Sequence, residues 1–326
     1  MKQGVKMLKV LIFSITIVCG MSCSMVKTIG VNSTASVMNE GSLEVNEEAN
    51  FEMFEKAMPA NLKVLETLWY TKQDNKDLLS LLIKGYGGLG FGLSETYYLD
   101  DKLKGIENST HKEQALFHYT KAFDYGVRYF KEKGVSFKTL NDKEAPIKLA
   151  KVLDDNFSND DLIAAFYFAQ SWGSLINLQR DNVELVAKLG TVKAIMDWVC
   201  TRKPEFENGS CLLFYAVYEA GRPAMLGGDL EKGKKLFHRF INNYPQNLLA
   251  RVAFIQYYII PMMDEKLYAM QFEKLTKELK DWNGVRSLAD RNEETKKYLE
   301  HKEFNLFNSI AEKRLEIIEK NKEEIF

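Results

Sequence analysis

Residues 229–245 read DLEKGKKLFHRFINNYP, from Asp229 to Pro245. Asp229 is a residue type that caps helices, because its carboxylate accepts a hydrogen bond from a free backbone amide of the first turn. Glu231 adds negative charge where the helix dipole favours it. Gly233, Phe237 and Phe240 follow at intervals of four and three, and Pro245 stands five further on, where it stops the helix. This is the spacing of the second helix of a tetratricopeptide unit, whose small and medium residues nest against its own first helix and the next repeat. Val192, Met196, Val199 and Pro204 repeat the spacing, and Ala115, Tyr119 and Ala122 match it without the proline. Gly221 occupies the first-helix glycine position upstream. The competing reading is an irregular helical bundle without repeats.

Outward from these stretches the chain continues in the same style. Apolar residues recur at three and four positions, as in Leu62, Leu65, Leu68 and Trp69, then Leu78, Leu79, Leu82 and Ile83. Strand-like alternation and hairpin signals are absent. Thr110-His111-Lys112-Glu113 and Ser158-Asn159-Asp160-Asp161 read as capping boxes, in which hydroxyl and carboxylate satisfy free amides reciprocally. The expectation is an all-α fold, an α-solenoid or helical bundle of degenerate tetratricopeptide-like helix pairs. It forms one domain over residues 51–326, with about eleven to thirteen helices.

The first residues differ. Lys2, Lys6 and Lys9 precede the apolar run Val10 to Val18, which is shorter than the roughly 20 residues that cross a bilayer. Small residues then lead to Cys23, with Ser22 before it. This order predicts a lipoprotein signal over 1–22 and a diacylglycerol on Cys23, against a simple cleaved signal or an uncleaved anchor. Gly20 stands where such signals usually carry Leu. Residues 23–50, small and polar, read as a lipidated tether. The chain carries 44 Lys plus Arg against 45 Asp plus Glu; removing Lys2, Lys6 and Lys9 takes its net charge from −1 to −4. Nothing in that balance points to nucleic acid. Cys200 and Cys211 lie in apolar helical runs. An oxidising compartment permits a bridge between them, and a buried free thiol is the plainer explanation.

Motifs for catalysis are missing. Gly85-Tyr86-Gly87-Gly88-Leu89-Gly90 matches the dinucleotide fingerprint formally, but a helical run precedes it where a strand is required. Small residues at 85, 88 and 92 are expected instead to form a flat stripe for a neighbouring helix. The four histidines form no metal-ligand cluster, and no nucleophile elbow occurs. No catalytic residue, metal or cofactor is expected, and the protein reads as a binding protein, not an enzyme. The aromatic residues pack the core or line an internal channel for an apolar or amphipathic ligand. On the channel reading Tyr86, Trp172 and Tyr215 line it, with Arg222 near its mouth. Pro223 pushes Arg222 out of helical geometry. Arg222 either anchors its loop to carbonyls and a carboxylate or faces an anionic ligand.

Several segments together resemble a known family. They are Ala57-Met58-Pro59-Ala60, Leu81 to Glu95 (LLIKGYGGLGFGLSE), Gln170-Ser171-Trp172-Gly173, Gly221 to Asp229 (GRPAMLGGD), Asn247-Leu248-Leu249 and Leu288-Ala289-Asp290-Arg291. In order and spacing they are similar to TatT, the T component of tetratricopeptide-associated TRAP transporters. Phe240 departs from the small residue usual at its position. The resemblance implies a periplasmic lipoprotein, held to a bacterial membrane by lipid alone, the outer membrane being favoured. It implies an α-solenoid around a pore-like cavity and a homotrimer bound to the substrate-binding P subunit. It implies too that an organic-acid or hydrophobic ligand is handed towards the permease. The alternatives are a generic tetratricopeptide scaffold lipoprotein of envelope assembly and a nutrient-capturing lipoprotein.

Overall fold

The computed structural model describes residues 23–326, so the signal expected over 1–22 lies outside the described residues. Twelve helices of nine residues or more follow one another among them. They are α1 (Cys23–Gly41), α2 (Phe51–Thr71), α3 (Lys76–Leu89), α4 (Glu95–Leu103), α5 (Thr110–Glu132) and α6 (Ala145–Asn156). Then come α7 (Leu162–Leu178), α8 (Leu189–Arg202), α9 (Phe206–Ala220), α10 (Leu230–Asn243), α11 (Glu265–Asn283) and α12 (Asn305–Lys320). Short helical turns connect them, and no strand occurs among the described residues. The fold is all-α.

The caps explain where the helices start. Asp229 Oδ1 accepts from the Lys232 amide at 2.9 Å, opening α10. Asp161 Oδ2 accepts from the Ser158 amide at 2.6 Å while Ser158 Oγ accepts from Asp160 N at 3.3 Å, the reciprocal pair expected there. The start of α5 lies one residue earlier than the box at Thr110. Ser109 Oγ accepts from Lys112 N at 3.0 Å and donates to Asp101 Oδ2 at 2.5 Å, so a tie to the preceding helix decides which hydroxyl caps.

The spaced helical positions are interior, while the closing Pro204 and Pro245 are exposed. Gly233, Phe237 and Phe240 on α10 are buried, as are Val192, Met196 and Val199 on α8 and Ala115, Tyr119 and Ala122 on α5. A Cβ on Gly233 would lie 2.8 Å from that of Ala220, and one on Gly209 would lie 2.6 Å from the Tyr244 ring. Those contacts at opposite ends make α9 and α10 an antiparallel pair. Tyr86 against Tyr125 and Gly90 against Tyr119 set α5 antiparallel to α3 in the same way. Lys84 meets Tyr167 and Gly87 meets Ser171, so α3 and α7 run parallel. Phe166 meets Phe206 and Arg180 approaches Gly221, so α7 and α9 also run parallel.

A π-helical segment, Gly90–Ser94, joins α3 to α4 without a break in direction. Such a bulge frees carbonyls from the helical ladder. Here Thr96 Oγ1 donates to Gly92 O at 2.7 Å, and the fully buried Arg314 donates to Phe91 O at 2.6 Å.

Residues 23–50 are drawn onto this framework. Ala35 of α1 is fully buried, Asn75 Nδ2 donates to Asn32 Oδ1 at 2.9 Å, and Asn305 Nδ2 donates to Glu47 O at 3.1 Å. Cys200 and Cys211 form a disulfide, with Cα atoms 5.8 Å apart, so of the two readings of this pair the bridge is the one realised. Among the described residues no helix is long and apolar enough to cross a membrane.

Candidate functional site

Three parallel stretches each turn one face inward. On α7 that face is Phe166, Tyr167, Gln170, Gly173, Ser174 and Asn177, at helical intervals of three and four. On α9 it is Ser210, Leu213, Phe214, Val217 and Tyr218, and along α3 and α4 it is Leu81, Lys84, Gly88, Phe91 and Glu95. Between them lies a cavity of about 920 Å³, closed further by Phe54 and Leu62 of α2 and Ile310 of α12. Its walls are mainly apolar.

The glycines of the GYGGLG stretch divide their work. A Cβ on Gly85 would sit 2.5 Å from Leu62, and one on Gly92 3.1 Å from Phe54 and Ile310, so both let neighbours pack closely. Gly88 has no heavy atom within 4 Å of its would-be Cβ. The stripe expected at 85, 88 and 92 therefore packs at its two ends and opens into the cavity in the middle.

Polar groups gather at two ends. Lys84 and Glu95 are separated by eleven residues of continuous helix, about 16 Å at ~1.5 Å per residue. At the Lys84 end, Nζ reaches Glu207 Oε1 at 3.5 Å and lies 5.8 Å from the Tyr167 ring centroid. Burial foremost, and the Glu207 charge next, push the Tyr167 hydroxyl well above its ordinary pKa, so it stays protonated. At the other end, Glu95 accepts from Tyr119 at 2.6 Å and from Tyr257 at 3.4 Å. Burial, followed by the Glu95 charge, pushes the Tyr257 hydroxyl up to about 12. Arg180 Nε donates to Asn177 Oδ1 at 3.0 Å, beside Gly221.

Of the four residues expected at a cavity, the structure places Arg222 on its lining. Its guanidinium is already engaged. It donates to Tyr218 O at 2.9 Å, Leu226 O at 2.9 Å and Glu219 Oε2 at 3.2 Å, and stacks 3.7 Å from the Tyr218 ring centroid. Tyr86, Trp172 and Tyr215 are not among the lining residues. Tyr86 donates to Glu66 Oε1 at 2.8 Å, Trp172 packs against Phe123 and Phe168 at 5.2 and 5.6 Å, and Tyr215 donates to Asp197 Oδ1 at 2.7 Å. Each sits one position from a lining residue, Gly85, Gly173 and Phe214 respectively. One residue is ~100° of helix, which is enough to turn a side chain from the cavity into the surrounding packing.

Sequence reasoning passed over Lys84, Gln170 and Arg180. A signal existed for the first, since Lys84 is the sole charge between Leu78 and Ser94. A lone lysine amid apolar helix is buried at a cost and needs a reason. Among the described residues, no group of three or more His, Cys, Asp or Glu is placed to hold a metal ion.

The profile of the TRAP transporter T-component family matches residues 47–288. No curated protein matches the chain.

Proposed function

Because the chain belongs to the TRAP transporter T-component family, an accessory part of a TRAP transport system, we propose that it binds the substrate-binding P subunit and carries that subunit's ligand through its internal cavity. The cavity is the observation that carries this reading: its space runs along three parallel helices and joins polar ends about 16 Å apart. An organic acid with an apolar body, or a hydrophobic molecule, matches walls of this kind. The antiparallel pairing of α9 with α10 through Gly233 supports a tetratricopeptide-like arrangement, with α3, α7 and α9 as inner helices. Such scaffolds bind proteins on extended surfaces.

The proposed setting is periplasmic. Cys23 carries the lipid, residues 1–22 are the export signal, and residues 51–326 form the folded accessory body on a membrane, as a trimer with its P subunits. Cys23→Ala then releases the protein from the membrane fraction and abolishes acyl-lipid labelling. The test of the central claim is purification of the native complex, followed by mass spectrometry of retained small molecules. A P subunit that co-purifies together with a small molecule supports the reading. Absence of any P subunit, in a cell that makes one, turns the choice towards a scaffold lipoprotein of envelope assembly.

A further inference from the structure

Unmatched polar groups lie at the Lys84 end of the cavity. Lys84 is 9% exposed, and among the described residues its ammonium makes one hydrogen bond, at 3.5 Å to Glu207 Oε1. Glu207 stands behind Lys84, off the cavity lining; its side chain is 8% exposed, and its other oxygen, Oε2, has no hydrogen-bond partner among the described residues. Gln170 lines the cavity from α7, and its buried Oε1 also has no partner among the described residues. Orphaned acceptors of this kind are rare in folded proteins, because each forfeits its hydration without recompense.

The backbone holds this arrangement at a cost. Glu207 and Asn208 have φ of 46° and 58°, in the left-handed region that non-glycine residues avoid. The segment is tied on several sides. The Cys200–Cys211 disulfide brackets it, Asn247 Nδ2 donates to Asn208 O at 3.1 Å, and Asn208 Nδ2 donates to Glu303 O at 3.2 Å. Strained residues fixed by their surroundings cluster at ligand sites. At the opposite end the Arg222 donors are taken up by Tyr218 and Glu219 of α9 and by Leu226 of its own loop.

We propose that Lys84 and Gln170, with Glu207 behind Lys84 as its countercharge, form a head-group subsite for an elongated ligand whose polar head bears no net charge and both donates and accepts hydrogen bonds. The inference rests on the reading that the cavity holds a ligand. Charge decides the head group. Lys84 and Glu207 together sum to zero, so an isolated carboxylate or ammonium brought here loses its hydration without a net countercharge. A hydroxyl-type head accepts from the Lys84 ammonium and donates to Gln170 Oε1. Its apolar body then lies along Gly88 and Phe214 towards Glu95.

The test uses three probes with one tail, dodecanol, dodecanoate and dodecylammonium, titrated calorimetrically into the purified protein. Dodecanol binds tighter than either ion by about tenfold or more, the scale of a hydrogen bond to a charged group. Gln170→Met weakens dodecanol and leaves the ions unchanged. Glu207→Gln keeps the side-chain shape and leaves the subsite one positive charge, so the preference moves towards dodecanoate. Circular dichroism confirms that both variants remain folded, a control that matters most at the strained position 207. If dodecanoate already equals dodecanol, or if neither variant moves the ranking, the subsite is overturned while ligand binding in the cavity stands. If none of the probes binds the folded protein, the cavity reading falls with it.

Discussion

Arg314 donates Nη2 to the carbonyl oxygen of Phe91 at 2.6 Å, filling the gap that the π-helical segment opens between α3 and α4. Its Nε donates to Thr96 Oγ1 at 3.0 Å and its Nη1 to Gln256 Oε1 at 3.1 Å, and the guanidinium lies 4.4 Å from the Phe91 ring centroid. One side chain of α12 thus braces the junction that leads to Glu95 at the cavity. Arg314→Met keeps much of the volume but leaves the Phe91 carbonyl and Thr96 hydroxyl without their donor. The expected loss is about 2–3 kcal/mol, the scale of charge-assisted hydrogen bonds. It is read as a lower midpoint in urea at unchanged slope. An unchanged midpoint would mean that the bulge holds itself.

Two glycines on packed helices should respond in opposite directions to the same methyl group. Gly88 faces open cavity, so Gly88→Ala raises stability by roughly 0.5–1 kcal/mol, the difference in backbone entropy within a helix. A Cβ on Gly126 would lie 2.1 Å from the Phe168 ring, so Gly126→Ala displaces a buried aromatic and costs about 1–3 kcal/mol. Gly88→Leu extends the logic to function: the fold persists while the side chain occupies ligand space. Thermal midpoints of the two alanine variants that move the same way would count against this placement of the cavity.

The helical architecture was legible because it rests on local signals. Asp229, Gly233 and Pro245 mark a start, a close contact and a stop within one short stretch, and the structure reads them in that order. The cavity was harder, because its lining is a matter of rotation. Whether Trp172 or its neighbour Gly173 faces inward depends on how α5 and α7 settle against each other through Phe123, Phe168 and Gly126. Aromatic content points to the bulky residues, whereas the lining takes their neighbours Gly85, Gly173 and Phe214. Glu207 was beyond reach for another reason. Its left-handed backbone is imposed by ties from Asn247, Glu303 and the disulfide, all distant in sequence or invisible in it.

A cluster around Glu66 makes acid stability testable. Burial by itself would raise its pKa, but hydrogen bonds from Lys63, Tyr86, Lys121 and Tyr125 outweigh it and bring the carboxyl down to about 2. Burial, and then the Glu66 partner, keep the Tyr86 and Tyr125 hydroxyls protonated as donors. A carboxyl whose folded pKa lies below its unfolded value stabilises the fold above the unfolded pKa, about 4.3. That contribution fades as pH falls from there towards 2. Urea midpoints measured across this window should drop more steeply for the unaltered protein than for Glu66→Gln. Parallel curves for the two would remove Glu66 from the account of acid unfolding.

The disulfide gives the last prediction, because it joins stability to the strained loop. Cys200 and Cys211 are 11 residues apart and bracket Glu207, Asn208 and Gly209, all with positive φ. Closing a loop of that size removes freedom from the unfolded chain and typically contributes ~2–4 kcal/mol. Without the bridge, the left-handed residues are still held by the Asn208 contacts to Asn247 and Glu303 and by Lys84 on Glu207, but less tightly, and relaxing them returns strain energy to the chain. The double variant Cys200→Ala, Cys211→Ala should therefore lose somewhat less stability than the closure value alone suggests, while its loop gains mobility. Hydrogen exchange at Phe206 to Ser210 reads the second effect directly. Faster exchange confined to that segment, with α7 and α10 as protected as before, is the expected result. A spread of fast exchange into α10 would show instead that the bridge holds the whole α9–α10 pair.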